Sequence, residues 1–168
     1  MLAFAILFLG ICSRLVFHAP NFTPVIALAL FGGFYLNKKY ALLVPLVLMM
    51  LSDVLLGMHN IILFTWGSIL FVTALGLWAR KRKSFKTIFV TSILSAIVFF
   101  IVTNFGSWLV MGYPKTLEGF VQCYIAAIPF FRNTFFSTLV YSFVLFGLYE
   151  LIALRVRGTK LASVLLTK

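Results

Sequence analysis

Apolar residues fill six runs along the chain, at 1–17, 24–36, 41–57, 61–79, 87–111 and 133–154, and the breaks between them hold charges or turn formers. His18, Pro20 and Asn21 close the first run. A helix needs about 20 residues to cross a bilayer. The last three runs meet that length, and the first three are short enough to need tilt, local thinning or burial by their neighbours. The pattern predicts an all-α integral membrane protein, a single domain over 1–168 with six transmembrane helices. No repeat or soluble linker interrupts it.

The stretch between the fifth and sixth runs, residues 112–132, is long without being polar. Thr116 is placed to cap a short helix, with Glu118 in its first turn where the helix dipole favours an acid. Leu117, Phe120, Val121, Tyr124, Ile125 and Ile128 then recur at helical spacing on one face. Glu118, Gly119, Gln122, Cys123, Ala126 and Ala127 fall on the other. Pro129 is expected to end this helix. The reading is a short amphipathic helix at the outer surface, either lying in the interface or roofing a cavity.

Composition turns the pattern into a statement about solvent. Hydrophobic residues make up 63% of the chain, 20 residues are Phe and only 10% are charged. A soluble domain carries roughly 25% charge and could not hide this much apolar surface. The net charge of +11 sets 14 Lys and Arg against Asp53, Glu118 and Glu150. Nucleic acid is excluded as a partner because the cations lie in short clusters between apolar runs, the pattern that encodes topology in a membrane protein. They follow the second, fourth and sixth runs: Lys38 and Lys39, then Arg80 to Lys86, then Arg155, Arg157, Lys160 and Lys168. Arg14, Lys115 and Arg132 are left for the other side. The positive-inside rule then puts both termini in the cytoplasm, and an odd number of spans would scatter the clusters over both faces. The N-terminus lacks a basic n-region and reads as a retained helix of a multi-pass bacterial inner-membrane protein.

Under that topology the residues a bilayer tolerates least gather at the outer ends of the spans. An ionisable group inside a span marks a site unless it is paired or wetted. Asp53 has two readings: a solute contact at the base of an outward cavity, or an ion pair with Arg14 or Arg132 that pins helices together. Arg132 suits bidentate binding of an anionic group. Asn133 beside it suits the N-cap of the sixth span. Cys123 is either a soft ligand or simple packing. His18 and His59 are interfacial hydrogen-bonders that do not complete a metal site on their own. Asn104 and Trp108, four apart, share a helix face. Ala29 and Gly33 form a small-xxx-small pair that permits close helix approach. The candidate solute-binding set is Asn21, Asp53, His59, Asn104, Trp108, Cys123, Arg132 and Asn133.

Catalytic signatures are missing: no HExxH, GxSxG or P-loop occurs, and no acids pair at helical spacing. The two cysteines make neither metal-ligand spacing nor a disulfide framework. The expectation is a protein that is not an enzyme, holds no cofactor and has no nucleotide site of its own.

Several strings carry a family likeness. They are Pro20-Asn21-Phe22-Thr23-Pro24-Val25, Ala29-Leu30-Phe31-Gly32-Gly33, Leu51-Ser52-Asp53, Thr103-Asn104-Phe105-Gly106 with Trp108, Tyr113-Pro114, and Cys123-Tyr124 through Ile128-Pro129-Phe130-Phe131-Arg132-Asn133. Over nearly its whole length the chain resembles an uncharacterised family of small bacterial integral membrane proteins, a domain of unknown function. Its architecture more loosely resembles the S components of energy-coupling factor (ECF) vitamin transporters. That resemblance implies uptake of a vitamin or other micronutrient from outside, with a transmembrane T subunit and its ATPases as partners. The paired-alanine motif that S components use in helix one is not matched, since Ala3 is followed four residues later by Leu7. The alternatives are a structural or assembly subunit of a membrane complex, or an intramembrane enzyme using Asp53, His59 or Cys123.

Overall fold

The computed structural model describes residues 1–16 and 21–166; His18 lies outside the described residues. The regular elements are helical throughout: α1 (Leu2–Val16), α2 (Val25–Tyr35), α3 (Lys38–Ala41), α4 (Leu43–Leu56), α5 (Ile62–Ala79), a 3-10 turn (Arg80–Arg82), α6 (Phe85–Val110), α7 (Leu117–Val156) and α8 (Lys160–Leu165). Four helical stretches are long and apolar enough to cross a membrane: Lys38–Leu56, Ile62–Arg82, Phe85–Val110 and Leu117–Val156. Large apolar side chains such as Leu63, Trp78, Phe85 and Leu151 stand largely exposed on them. Much of the interior between the longer helices is small and hydroxylic instead, with Ser68, Thr73, Ser92, Ser95 and Thr138 fully buried. Their hydroxyls donate to carbonyls of their own helix, which lets the backbones come close without orphaning a polar group.

The shortness of the second apolar run is explained by its place. All eleven residues of α2 are buried, with α5 and α7 as its main neighbours. A helix that is apolar on every side belongs in the middle of a bundle, and eleven residues rise only about 16 Å. Gly33 meets Gly76 of α5, where an added Cβ on Gly76 would lie 3.1 Å from the Gly33 Cα and 2.6 Å from the Leu30 carbonyl oxygen. The small residues of the second run are thus spent inside the chain. Around Phe31, the rings of Tyr35, Phe146 and Tyr149 close the core.

One end of the bundle collects the basic residues. There the Tyr35 hydroxyl donates to Glu150 Oε1 at 2.5 Å, and Lys83 Nζ pairs with the same oxygen at 2.5 Å. Arg80 Nη1 donates to the Leu36 carbonyl at 3.4 Å.

The helix opened by Thr116 forms as expected, its Oγ1 accepting from the Gly119 amide at 3.2 Å. It does not stop at Pro129. Residues Leu117–Val156 run as one helix of 40 residues with Pro129 inside it. Proline removes one intrahelical hydrogen bond, and helices packed among neighbours tolerate that loss. Asn133 therefore sits in a helix interior and is not an N-cap. The Leu117–Ile128 segment is thus the first part of a long helix and not a separate one. It packs through Gly119 and Cys123, both buried, while Leu117, Val121, Ile125 and Ile128 of the apolar stripe are exposed.

Candidate functional site

At the end of the bundle away from the basic cluster, Arg14 stands in the last turn of α1, and Ser52 and Asp53 lie near the end of α4. Asp53 is 1% exposed, so its charge must be met inside the protein. Arg14 Nη2 lies 2.7 Å from Asp53 Oδ1, and Trp66 Nε1 of α5 donates to Oδ2 at 2.9 Å. Arg14 Nη1 also donates to Ser52 Oγ and to Met49 Sδ. Both carboxylate oxygens and both terminal guanidinium nitrogens are thus engaged, the condition under which a buried ion pair holds. Of the two readings of Asp53, the ion pair is the one that forms, and Arg14 is its partner. Arg132 is exposed on α7 and takes no part.

Beyond this pair opens a cavity of about 440 Å³, lined by the end of α1, the start of α2, the middle of α4, the start of α5, the middle and end of α6, and the middle of α7. Asn21, His59 and Asn104 from the expected set line it, as does Arg14. Asn21 takes a left-handed φ of 56°, a conformation Asn adopts more readily than most residues. Asn104 anchors its amide by donating Nδ2 to the Phe100 carbonyl at 2.7 Å.

Trp108, Cys123, Arg132, Asn133 and Asp53 do not line the cavity. Trp108 instead fastens the turn after α6: its Nε1 donates to the Pro114 carbonyl at 2.9 Å, and Lys115 lies over its ring. Four residues advance a helix by 400°, a 40° offset, enough to separate Trp108 from Asn104 at a cavity edge. Cys123 docks α7 on α6, its Sγ reaching the Asn104 carbonyl at 3.5 Å, and Tyr124 donates to the Ile101 carbonyl at 2.7 Å beside it. Among the described residues no three His, Cys, Asp or Glu side chains gather as a metal site would need.

The chain matches the family described as "Family of unknown function (DUF6580)" over residues 1–161. It belongs to DUF6580. No curated protein and no solved structure matches it. The family assignment thus leaves function to be argued from the cavity of this DUF6580 chain.

That wall has members outside the expected solute-binding set. Thr65, Thr103, Ser107, Thr134 and Ser137 line it, and each donates its hydroxyl proton to a carbonyl of its own helix. A hydroxyl that has given its one proton away retains only acceptor lone pairs. Phe99, Phe100, Phe130 and Phe131 supply an aromatic side, with the Phe100 and Phe131 rings 4.5 Å apart. The signal for these was present in Thr103 and Ser107, four apart on one face, and in the Phe pairs at 99–100 and 130–131. In a chain with 20 Phe, nothing local distinguishes those that face a cavity.

Proposed function

We propose that this is a six-span protein of the bacterial inner membrane, with cytoplasmic termini, that binds a small solute from the outer side in the S-component manner. The observation that carries the reading is the cavity: about 440 Å³ lies within the usual range for small-molecule sites. It opens at the end remote from Lys38, Arg80–Arg82 and Lys83, which the positive-inside rule assigns to the cytoplasm. The two short helices count as spans on this reading because α2 bridges both ends: Val25 and Ile26 line the cavity while Tyr35 meets Glu150 at the basic end. Reporter fusions after Lys39 and Lys83 are expected to read cytoplasmic and one after Tyr113 external. A periplasmic signal at Lys83 overturns the topology.

The wall also favours a class of solute. Its hydroxyls are acceptors, its Phe side chains offer flat apolar faces, and no carboxylate lines it. A neutral, ring-bearing micronutrient with N–H or O–H donors at its edge fits these groups, and a water-soluble vitamin is a member of that class. Ala3 and Leu7, on the α1 face where S components carry their alanine motif, are buried inside the chain. This favours a solitary binder over one docked on a T subunit through that face.

Extraction of the gently purified protein and mass spectrometry should recover a stoichiometric small molecule. In a vitamin panel, the compound that raises the melting temperature should bind about tenfold less tightly to Asn104→Leu, as expected for loss of one buried polar partner, with the unliganded melting temperature kept near wild type. If nothing co-purifies and no compound shifts melting, the structural-subunit reading takes its place. The Arg14–Asp53–Trp66 network, which ties three helices together, is what would favour that reading.

A further inference from the structure

The basic end carries a second concavity, of about 630 Å³, between α5 and α6. Its mouth is formed by Lys38, Arg80, Lys81, Arg82 and Lys86, and its floor by Leu77, Trp78, Val90 and Leu94. The chain's acids are elsewhere. Asp53 is held by Arg14 at the far end, Glu150 by Lys83 and Tyr35, and Glu118 stands in the first turn of α7. Lys83 is drawn out of the run 80–86 toward Glu150, and the five cations of the groove meet no carboxylate within 4.0 Å among the described residues. Their repulsion calls for an anion. The floor decides which kind: Trp78 is 72% exposed, Val90 44% and Leu94 42%, on helices long and apolar enough to cross a membrane. A soluble anion leaves that apolar floor bare. A molecule with a negative head and hydrocarbon tails covers both parts.

We infer that this groove binds an anionic phospholipid, its phosphate among Arg80, Lys81, Arg82, Lys86 and Lys38 and its acyl chains along Trp78, Val90 and Leu94. The site is separate from the solute cavity and does not depend on it. Basic pockets between spanning helices at the leaflet surface are suited to such headgroups, and Arg adds bidentate contacts to phosphate oxygens.

The test uses the full chain, delipidated in detergent and then offered phosphatidylglycerol, cardiolipin or phosphatidylcholine. Native mass spectrometry should retain one phosphatidylglycerol or cardiolipin per chain and no phosphatidylcholine, and the anionic lipids alone should raise the melting temperature. Inorganic phosphate at millimolar concentration should give no shift, which separates a lipid from a free anion. The variant Lys81→Gln/Arg82→Gln/Lys86→Gln, which leaves the Arg80 contact to Leu36 intact, should lose retention about tenfold or more, given the strength of each basic contact at a lipid surface. A control with Arg155→Gln/Arg157→Gln/Lys160→Gln removes the same charge outside the groove and should retain lipid. Equal loss in the two variants, equal retention of phosphatidylcholine, or protection by phosphate as strong as by lipid overturns the inference.

Discussion

Asp53→Asn is expected to lower the unfolding free energy of the purified protein by about 3–5 kcal/mol, the range for breaking one side of a buried ion pair. Geometry makes even this conservative change costly. Asp53 presents two acceptor oxygens, one to Arg14 Nη2 and one to Trp66 Nε1. Asparagine has one acceptor and one amino group, so whichever way it flips, a donor faces a donor. The Arg14 guanidinium, 13% exposed, is then left without its counter-charge. The informative comparison is a double-mutant cycle with Arg14→Met and Asp53→Leu. Apolar residues of similar volume remove both charges at once, and such replacements are often neutral or stabilising. The double variant should therefore be more stable than either single one, with a coupling energy above about 1 kcal/mol. Equilibrium unfolding in mixed micelles measures all four corners. Additive losses would mean that the pair contributes little and that Asp53 is held for another reason.

That a basic partner existed for Asp53 was legible in the chain, because a lone carboxylate among apolar residues has few ways to stay charged. Which one was not legible. Arg14 and Arg132 both fall at the right depth by counting residues, and only the packing of α1 against α4 chooses between them. Pro129 failed for a related reason. The helix-breaking preference of proline is local, while the packing of α7 along α6, through Cys123 and Tyr124, is not. The tertiary contacts carried the helix past it, and Asn133 lost its cap position as a result. In α2 the run length was read correctly as short, but its burial on all sides needs the other helices to be in place.

The candidate site divides along the same line. Asn21, His59 and Asn104 stood out because an amide or imidazole is rare in this chain, and they do line the cavity. Thr65, Thr103, Thr134 and Ser137 did not stand out, because hydroxyls satisfied within their own helix are common in apolar helices. Sequence reveals what is costly to bury, and the cavity wall is mostly built from what is cheap to bury.

The second large effect is expected where α2 crosses α5. An added Cβ on Gly33 would lie 2.9 Å from the Gly76 Cα and hard against the Thr73 carbonyl oxygen, and one on Gly76 would lie 2.6 Å from the Leu30 carbonyl oxygen. These neighbours are backbone atoms and have no rotamer to change, so the helices must move apart. For α2 there is nowhere to move, since its eleven residues are all buried and its far side is filled by the rings around Phe31. Gly33→Ala and Gly76→Ala should each cost about 1–3 kcal/mol, the usual range for overpacking a filled core, and Gly33→Val should cost more. Because Ile26 on α2 and Thr65 on α5 both line the cavity, the separation should also reshape the cavity and, on the proposed function, weaken solute binding without touching its wall. Gly67 lies in the same α5, and Gly147 in α7, with nothing within 4 Å of an added Cβ. Gly67→Ala and Gly147→Ala should therefore be neutral, or stabilising by up to about 1 kcal/mol through helix propensity alone. The four alanine variants ask one question of one residue type, differing only in what stands opposite. If Gly33→Ala and Gly76→Ala unfold like the two controls, the close crossing of α2 and α5 is not what holds the centre of the bundle.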